Sequence, residues 1–363
     1  MTTLRRTAIL TALLLFAFSA LARVDRVEIT SRADVLNGRP FGTVGAYEKL
    51  AGRVYFKVNP DDAHNRRIVD VENAATNAQG EVEFSADLYI LRPKDVKKGN
   101  GALLLEVPNR GGKGLLRIIN GATGSPDPTR ESDFGDGWLM RQGYTVAWLG
   151  WQWDVADAPG NMRLYAPVAY DEWWPKHLQG LLRDDFTLPE KRFDMPLGHL
   201  ITGRIGGTEY PVTFMKDPRN VLTVRDTPTG QRRIIPQTQW SFAHEVAGKL
   251  EPSKRHVHLN SGFEPGKIYE LVYTVSDPVV AGLGLAAIRD FVSYEKNDKQ
   301  AIAPVERAYA LGISQTGRLL RHFIWQGFNA DEQNRRVLDG VLSHVAGAGR
   351  GSFNHRFAQP SRD

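Results

Sequence analysis

The sequence predicts an α/β fold in which a mostly parallel sheet carries helices on both faces. Apolar runs at 101–109, 145–150 and 307–312 lack the alternation of a half-exposed strand, which is typical of parallel strands buried on both sides. A helix-like segment at 136–144 separates the first two runs, and another at 278–296 precedes the third. This order of strand, helix and strand predicts parallel neighbours.

The chain of 363 residues is long enough for one large or two medium domains, and its composition predicts an ordered globular protein. We divide it into a signal peptide at 1–22, the N-terminal part of the α/β domain at 23–150, an insertion or cap at 151–265, and the closing part of the α/β domain at 266–363. The insertion is rich in Trp, Pro and Arg and has no clear periodicity, so we expect short elements and loops that fold over the sheet.

The individual elements follow from local patterns. Alternating apolar residues at 52–59 and 82–93 predict strands, so the N-terminal portion is expected to be β-rich. The helix at 136–144 is expected to close at Gly143, since glycine commonly follows a helix end. In the segment at 278–296 apolar residues recur at spacings of three and four, which predicts a helix with one buried face.

The N-terminus has the three-part layout of a secretory signal. Arg5 and Arg6 precede an apolar run at 8–18, and Ala20 and Ala22 complete an A-x-A cleavage pattern. The apolar run is shorter than the ~20 residues that a membrane-spanning helix needs, and a buried first helix is the alternative. We expect a bacterial periplasmic or secreted protein that is free of the membrane after signal cleavage.

The composition excludes several classes of function. The net charge of +5 falls to +3 once Arg5 and Arg6 are removed with the signal, which is too little to predict a nucleic-acid partner. The absence of cysteine excludes disulfides, thiolate metal sites and a cysteine nucleophile. His256 and His258 form a conceivable metal pair, but no carboxylate or third histidine stands at a fitting spacing. We therefore predict no metal and no cofactor.

The stretch ALGISQTGRLLRHF, residues 310–323, carries the main candidate for catalysis. Gly312-x-Ser314 joins an apolar strand to a helix with an apolar stripe. A serine on such a sharp turn exposes its hydroxyl above a helix N-terminus, as a nucleophile requires. Thr316 stands where the full G-x-S-x-G pattern has its second glycine. The motif alone leaves two interpretations open, a catalytic serine or a helix N-cap.

A glycine-rich loop, NRGGKG at 109–114, follows the first buried strand. Beside a serine nucleophile of this kind, such a loop and the residue after the serine each supply a backbone N–H to the oxyanion hole. We predict Gln315, Gly111 and Gly112 as the donors, and Asn109 as a pocket residue. A plain turn is the alternative, and the glycine spacing excludes a Walker-type phosphate loop.

Three long stretches, at 269–294, 310–329 and 341–361, resemble a bacterial family of α/β-hydrolase-domain proteins. The resemblance covers nearly all of the chain after the signal; it implies an α/β-hydrolase fold and a nucleophile at Ser314, and it says little about the substrate. The G-x-S-x-x-G-R pattern is more distantly similar to the G-C-S-R-x-G pattern of glucuronoyl esterases. Gln315 replaces the arginine that assists the oxyanion hole in those enzymes.

A serine nucleophile needs a base and an acid, which in this fold follow it in the order serine, acid, histidine. His322 lies on the helix after the serine and is not expected to reach it. His344, at the end of the next strand, and His355, in the following loop, are candidate pocket residues. Asp339 stands at the start of that strand, the wrong end of the sheet, and a complete fold of this kind has further strands that carry the acid and the histidine. We therefore expect a C-terminally truncated fragment whose true acid and base lie beyond Asp363, and which is poorly soluble and inactive alone.

Two functions fit these observations. The first is a secreted serine hydrolase that cleaves a small-molecule ester through an acyl-enzyme on Ser314. The second is a non-catalytic, hydrolase-like protein in which Ser314 is a cap and the aromatic insertion holds a ligand. Trp151 and Trp153 follow a strand end and are candidate pocket walls, with core packing as the alternative. The sequence does not predict an oligomeric state.

Overall fold

The computed structural model describes residues 24–171, 176–198, 200–201, 204–205 and 209–362. The fold is mixed α/β, with a largely parallel central sheet and few helices. The predicted signal peptide at 1–22 lies outside the described residues.

The described strands are β1 Val24–Asp34, β2 Pro40–Phe41, β3 Gly45–Val58, β4 Val82–Pro93, β5 Ala102–Glu106, β6 Thr145–Leu149, β7 Leu164–Tyr165, β8 Tyr170–Asp171, β9 Lys176–His177, β10 Gln179–Thr187, β11 Arg192–Pro196, β12 Leu200–Ile201, β13 Arg204–Ile205, β14 Val221–Arg225, β15 Arg233–Ile235, β16 Trp240–Ser241, β17 Ala243–Val246, β18 Lys249–Pro252, β19 His256–Phe263, β20 Ile268–Ser276, β21 Arg307–Ile313 and β22 Gly340–His344. The described α-helices are α1 Leu115–Ile119, α2 Trp138–Arg141, α3 Leu283–Asn297 and α4 Gln315–Trp325. Single turns of 3-10 helix lie at Val35–Gly38, Gly42–Val44, Val71–Asn73, Val96–Lys98, Glu131–Asp133, Gln237–Gln239 and Pro360–Arg362.

The central sheet runs in the order β1-β3-β4-β6-β5-β21-β22, with β2 and β7 pairing at its side. The strands from β6 to β22 are parallel, whereas β1, β3 and β4 pair antiparallel. The strands predicted at 101–109, 145–150 and 307–312 are confirmed as β5, β6 and β21, and the two N-terminal strands as parts of β3 and β4. Because β5 and β21 are parallel neighbours, the loops that follow them meet at one edge of the sheet.

Alternate residues of β6 point to opposite sides of the sheet, as the pleat requires. Ala147 and Leu149 belong to the buried cluster that contains the apolar residues of α3 and α4. Val146 and Trp148 belong to a second buried cluster, which contains residues of α1 and α2. Burial on both sides explains why this strand reads as a continuous apolar run.

The predicted helices differ from the observed ones in length and burial. The helix expected at 136–144 is reduced to one turn, α2, and Gly143 follows it with a φ of 77°. The helix predicted within 278–296 is confirmed as α3, but both of its faces are buried. Arg289 and Asp290 are 0% and 1% exposed, because Arg289 donates to Asp290 and to Asn65 Oδ1 of a covering loop. A packed loop over the polar face is not visible in the periodicity of the helix.

The region predicted as an insertion of short elements and loops consists of β-strands and loops, and only β10 and β19, with nine and eight residues, are longer than five residues among its described strands. Its strands form a four-stranded sheet, β10-β20-β14-β15, a three-stranded sheet, β11-β19-β16, and two-stranded ribbons. β20 lies beyond the boundary predicted at residue 265, but it pairs along its whole length with β10 of the insertion. Its residues alternate in a pattern that is typical of a strand, yet alternation does not tell which sheet a strand joins.

The last described residues pack against the insertion. Phe357 and Ala358 belong to a third buried cluster, together with Trp153 and Tyr210 of the insertion. The Phe357 and Tyr210 rings meet edge to face with centroids 5.4 Å apart. No helix in the described part of the chain has the length and apolar character needed to cross a membrane.

Candidate active site

Ser314 is the single residue between the end of β21 and the start of α4. Its backbone has a φ of 57° and a ψ of −111°, a conformation that is costly for a residue with a side chain. The Ser314 N–H donates to the His344 carbonyl of β22 at 2.9 Å, which fixes the turn against the neighbouring strand. The Ser314 side chain is exposed, while Gln315 and Thr316 directly after it are buried. The turn therefore presents the serine hydroxyl at the carboxyl edge of the sheet.

Two glycines and a threonine make this turn possible. A methyl group at Gly312 would lie 2.3 Å from the Thr316 carbonyl oxygen, and one at Gly317 would lie 2.9 Å from the His344 carbonyl oxygen. The Thr316 hydroxyl accepts the Ile313 N–H at 2.9 Å and donates to the Ile313 carbonyl at 3.2 Å. Helix α4 and strand β22 therefore approach closely at Gly317. Thr316 is not a loosely fitting substitute for glycine, because its hydroxyl forms hydrogen bonds across the turn; we call these the tie across the turn.

The glycine-rich loop after β5 touches the turn directly. Asn109 Nδ2 donates to the Ile313 carbonyl at 3.0 Å, so the loop is bonded to the residue before the serine. Gly111 has a φ of 81°, and a methyl group there would lie 2.8 Å from a methyl carbon of Val155. The structure contradicts the prediction for Gly112, because its N–H donates to the Asn109 carbonyl at 3.0 Å within a tight turn. Gly112 is therefore not an oxyanion donor in this conformation.

The Gln315 main chain lies in the first turn of α4, where an N–H has no partner within the helix. Its side chain is fully buried and donates to the Pro360 carbonyl at 2.6 Å and to Gln152 Oε1 at 3.3 Å. Gln152 in turn donates to Asp154 Oδ1 at 2.7 Å. Burial raises the pKa of Asp154 to about 6, against the lowering effect of the Ser361 N–H that it accepts.

This buried network was not predicted from the sequence. Gln152 and Asp154 alternate with tryptophans in the stretch WQWD, and two polar residues in such an apolar setting are the one signal that points to it. Their partners Gln315 and Ser361 are remote in sequence, so no local pattern connects them. The network ties the end of the described chain to the start of the helix behind Ser314.

The candidate histidines do not hydrogen-bond to the serine. His344 meets Ser314 through its carbonyl, and its side chain is exposed. His355 Nε2 lies 2.7 Å from Ser352 Oγ, and its Nδ1 lies 2.9 Å from the Arg356 carbonyl. The His322 ring packs edge-on against Trp325 and Phe353. Within residues 24–362, as far as they are described, no hydrogen bond joins Ser314 Oγ to an imidazole.

The two tryptophans predicted as pocket walls are core residues. Trp151 is 3% exposed and donates its Nε1–H to the Pro108 carbonyl at 2.7 Å. Trp153 is 8% exposed and donates to the Ala358 carbonyl at 3.1 Å. Among the surface cavities in the described residues, four have volumes of about 170 to 390 Å³, and neither tryptophan nor Ser314 lines any of these four. The alternative interpretation, core packing, is the correct one.

The histidine pair of β19, His256 and His258, has neighbours that the sequence did not predict. His258 Nδ1 hydrogen-bonds to Asp194 Oδ1, and the His244 ring stacks on His256 at 4.2 Å. These partners come from adjacent strands, so their spacing in sequence carries no signal. His256 Nδ1 lies 2.9 Å from Ser253 Oγ. In the part of the chain that the structure describes, no group of three or more ligating side chains is placed to hold a metal ion.

A family model described as an alpha/beta hydrolase domain, Abhydrolase_10, matches residues 254–363, the part of the chain that includes β21, Ser314 and α4. The chain contains an alpha/beta hydrolase domain. This match suggests hydrolase activity in general, and it begins well after the start of the resemblance expected from the sequence. Neither a curated protein nor a solved structure matched the chain.

Proposed function

We propose that this protein is a serine hydrolase that cleaves carboxylic esters through an acyl-enzyme on Ser314. The observation that carries the proposal is the backbone of Ser314. Its φ is positive, the close approaches at Gly312 and Gly317 make room for this turn, and the serine is exposed. A helix N-cap needs no such strain, since cap residues adopt ordinary extended dihedrals. The alpha/beta hydrolase domain match over residues 254–363 supports the same assignment.

In the proposed reaction the Ser314 oxygen forms a bond to the ester carbonyl carbon, the alcohol leaves with a proton, and water then releases the acid. The Gln315 N–H, at the start of α4, stabilises the negative charge that develops on the carbonyl oxygen. The Gly111 N–H, from the loop that Asn109 bonds to the turn, is the proposed second donor. Removal of one such donor typically lowers the rate by about a hundred- to a thousandfold.

Reaction with a fluorophosphonate probe tests this proposal, because the probe labels serines that are activated as nucleophiles. The full-length natural protein should be labelled, and the label should be lost in Ser314→Ala. Ser352 and Ser253 are matched controls, since each lies within hydrogen-bond distance of a histidine but neither sits on a strand-to-helix turn. Loss of labelling in Ser352→Ala or Ser253→Ala, with Ser314→Ala still labelled, would move the nucleophile elsewhere.

The second candidate is a non-catalytic, hydrolase-like protein that binds a ligand. It is favoured by the observation that, in the described residues, Ser314 Oγ has no hydrogen bond to an imidazole. A serine without a base retains only the modest catalysis of the oxyanion hole and of substrate binding. A folded wild-type protein that takes up no fluorophosphonate would favour this candidate over the enzyme.

We further propose that the protein is exported and that its mature chain begins at Arg23. The basis is the sequence of residues 1–22, with its arginine pair, apolar run and A-x-A pattern. Intact mass of the protein purified from the periplasm or medium of a bacterial host tests this. A mass that retains Met1 to Ala22 would count against export through a cleaved signal.

A further inference from the structure

A small cavity lies on the exposed side of α4 and is strongly basic. Its volume is about 170 Å³, and three arginines, a histidine, a tryptophan and small loop residues line it: Arg318, Arg321, His322, Trp325, Ala348, Gly349, Arg350 and Gly351. No carboxylate is among these lining residues. Such a wall favours an anion over a cation or a neutral ligand.

The three arginines have different roles. Arg321 donates to the carbonyl oxygens of Gly347, Ala348 and Gly349, so it holds the loop that closes the cavity. Arg318 and Arg350 make no salt bridge with any residue that the structure describes. The Arg350 guanidinium carbon lies 4.6 Å from the centroid of the Trp325 ring, and that tryptophan is 61% exposed. Two guanidinium groups are therefore available to a ligand, next to a largely exposed tryptophan that is partly covered by Arg350.

The cavity continues the helix face that begins at Ser314. Arg318 lies one turn further along α4, and its N–H donates to the Ser314 carbonyl at 3.1 Å. Trp325 lies seven residues beyond Arg318 on the same face, whereas Leu319 and Phe323 are buried beneath it. One helical turn advances ~5.4 Å, so the nearest wall of the cavity is within the length of a small molecule bound at the serine hydroxyl.

We propose that this cavity binds an oxyanion group, a carboxylate or a phosphate, on the substrate whose ester bond is attacked by Ser314. Guanidinium groups present paired N–H donors that match the oxygens of either anion. The Trp325 face offers an apolar surface for the ring or chain that carries the charge. The link to Ser314 rests on the proposed hydrolase function, whereas anion binding in the cavity does not.

Calorimetric titration of the full chain tests the site without any need for catalysis. The probes are phenylacetate, phenyl phosphate and the neutral phenylacetamide. We expect at least one anion to bind at least tenfold more tightly than the amide. Arg318→Gln and Arg350→Gln should each weaken that binding at least tenfold, and binding to both anions identifies a general oxyanion site.

Arg66 supplies the matched control, since it is exposed and lines none of the four cavities. Arg66→Gln should bind the anions like wild type, and thermal melting of each variant shows that it is folded. Equal binding of the amide and the anions, or binding that survives both Arg318→Gln and Arg350→Gln, would overturn the proposal.

Protection of Ser314 tests the link to the proposed active site. The bound anion should slow fluorophosphonate labelling of wild type several-fold, and should not slow labelling of Arg318→Gln. Anion binding without protection would leave the cavity separate from the active site and overturn that link. Absence of labelling in every variant would instead refute the proposed hydrolase function, and the titration would still decide whether the anion site exists.

Discussion

Two neighbouring strand-to-helix connections at the edge of the central sheet, which we call crossings, are held in place in different ways. They are the turn between β21 and α4 and the loop between β5 and α1. The turn after β21 is shaped mainly within a few residues, by close approach at Gly312 and by the hydroxyl of Thr316, and one hydrogen bond from Ser314 to the His344 carbonyl joins it to β22. The loop after β5 is fixed both by a residue from a distant part of the chain and by the carboxylate at the end of β5. Arg110 donates to the Ser361 carbonyl, and Glu106 accepts the N–H groups of Gly114 and Leu115.

Because they are held in different ways, the turn after β21 and the loop after β5 should respond differently to changes elsewhere in the molecule. A turn held by short-range sterics keeps its shape as long as its own residues are present. A loop held by long-range hydrogen bonds depends on the packing of the insertion and of the last described residues. We therefore expect the serine position to be robust, and the geometry of the oxyanion loop to be the part that responds to remote changes.

The largest effect is expected for Gly312→Ala. The added methyl group would lie 2.3 Å from the Thr316 carbonyl oxygen, so the backbone of the turn must move. We expect a loss of about 3–5 kcal/mol in the free energy of unfolding and no labelling of Ser314. The measurement is the urea midpoint, together with fluorophosphonate uptake.

Two glycines of the other crossing make a graded control for this variant. Gly111→Ala adds a methyl group 2.8 Å from a Val155 side chain at a φ of 81°, so an intermediate loss of stability is expected. Gly112→Ala meets only the Asn109 carbonyl at 3.4 Å and should be close to neutral. A Gly312→Ala protein as stable as Gly112→Ala would show that the turn is not sterically fixed.

The next effect concerns the anchor of the loop, Glu106, which is 5% exposed. Its carboxylate accepts the Gly114 and Leu115 N–H groups and the Trp148 indole N–H. Glu106→Gln replaces one acceptor oxygen by an NH₂ group that faces these donors. We expect a loss of about 2–3 kcal/mol in the free energy of unfolding, since buried N–H groups lose their partner.

The exposed Glu28 is the control for Glu106, because Glu28→Gln changes only a surface hydrogen bond to Tyr55. Urea denaturation of both variants gives the comparison. If Glu106→Gln were as stable as Glu28→Gln, the loop would not depend on this carboxylate, and the contrast between the two crossings would weaken.

The same contrast explains which parts of the site the sequence predicts. Ser314, Gly312 and the flanking strand and helix are predicted because the close approach at Gly312 and the Thr316 hydrogen bonds involve adjacent residues. The hydrogen bond from Ser314 to the His344 carbonyl of β22 is not visible in that local pattern. The assignment of Gly112 as a donor is wrong because the direction of its N–H is set by a tight turn, and a glycine run does not reveal which amide points outward.

For the fold, periodicity predicts the buried strands of the central sheet, because burial on both faces leaves a continuous apolar run. It does not predict that β20 joins the sheet of the insertion, because strand pairing is decided by contacts far apart in sequence. Trp151 and Trp153 are correctly predicted to follow a strand end. The sequence leaves pocket wall and core packing both open for them, and the structure decides for the core.

A smaller effect is expected for Thr316→Val, which keeps the shape of the side chain and removes its hydroxyl. The Ile313 N–H and carbonyl each lose one hydrogen bond. We expect a loss of about 1–2 kcal/mol in the free energy of unfolding and slower, not absent, labelling of Ser314. Thr316→Ser, which retains the hydroxyl, should stay close to wild type. If the valine and serine variants labelled equally, the tie across the turn would have no part in placing the serine.

The smallest expected effect is a pH dependence of the free energy of unfolding, which comes from Asp154 in the buried network with Gln152 and Gln315. Burial raises the pKa of Asp154 to about 6 from an unfolded value near 3.8. Because the folded pKa is the higher one, the group stabilises the fold in full below pH 3.8, and this contribution is lost as the pH rises through 6. Between pH 5 and 7 Asp154 should therefore account for a decrease of about 1 kcal/mol in the free energy of unfolding.

Asp154→Asn should flatten the stability profile over that interval, and Glu295 provides the control. Burial raises the pKa of Glu295 to about 7, so its contribution is also lost with rising pH, over a range that extends further toward alkaline pH. In Glu295→Gln, the decrease in the free energy of unfolding that Asp154 causes between pH 5 and 7 should remain. Denaturation at a series of pH values separates the two, because only Asp154 is joined through Gln152 to the helix start behind Ser314. If the labelling rate of Ser314 followed pH identically in wild type and Asp154→Asn, the buried network would stabilise the fold without adjusting the turn.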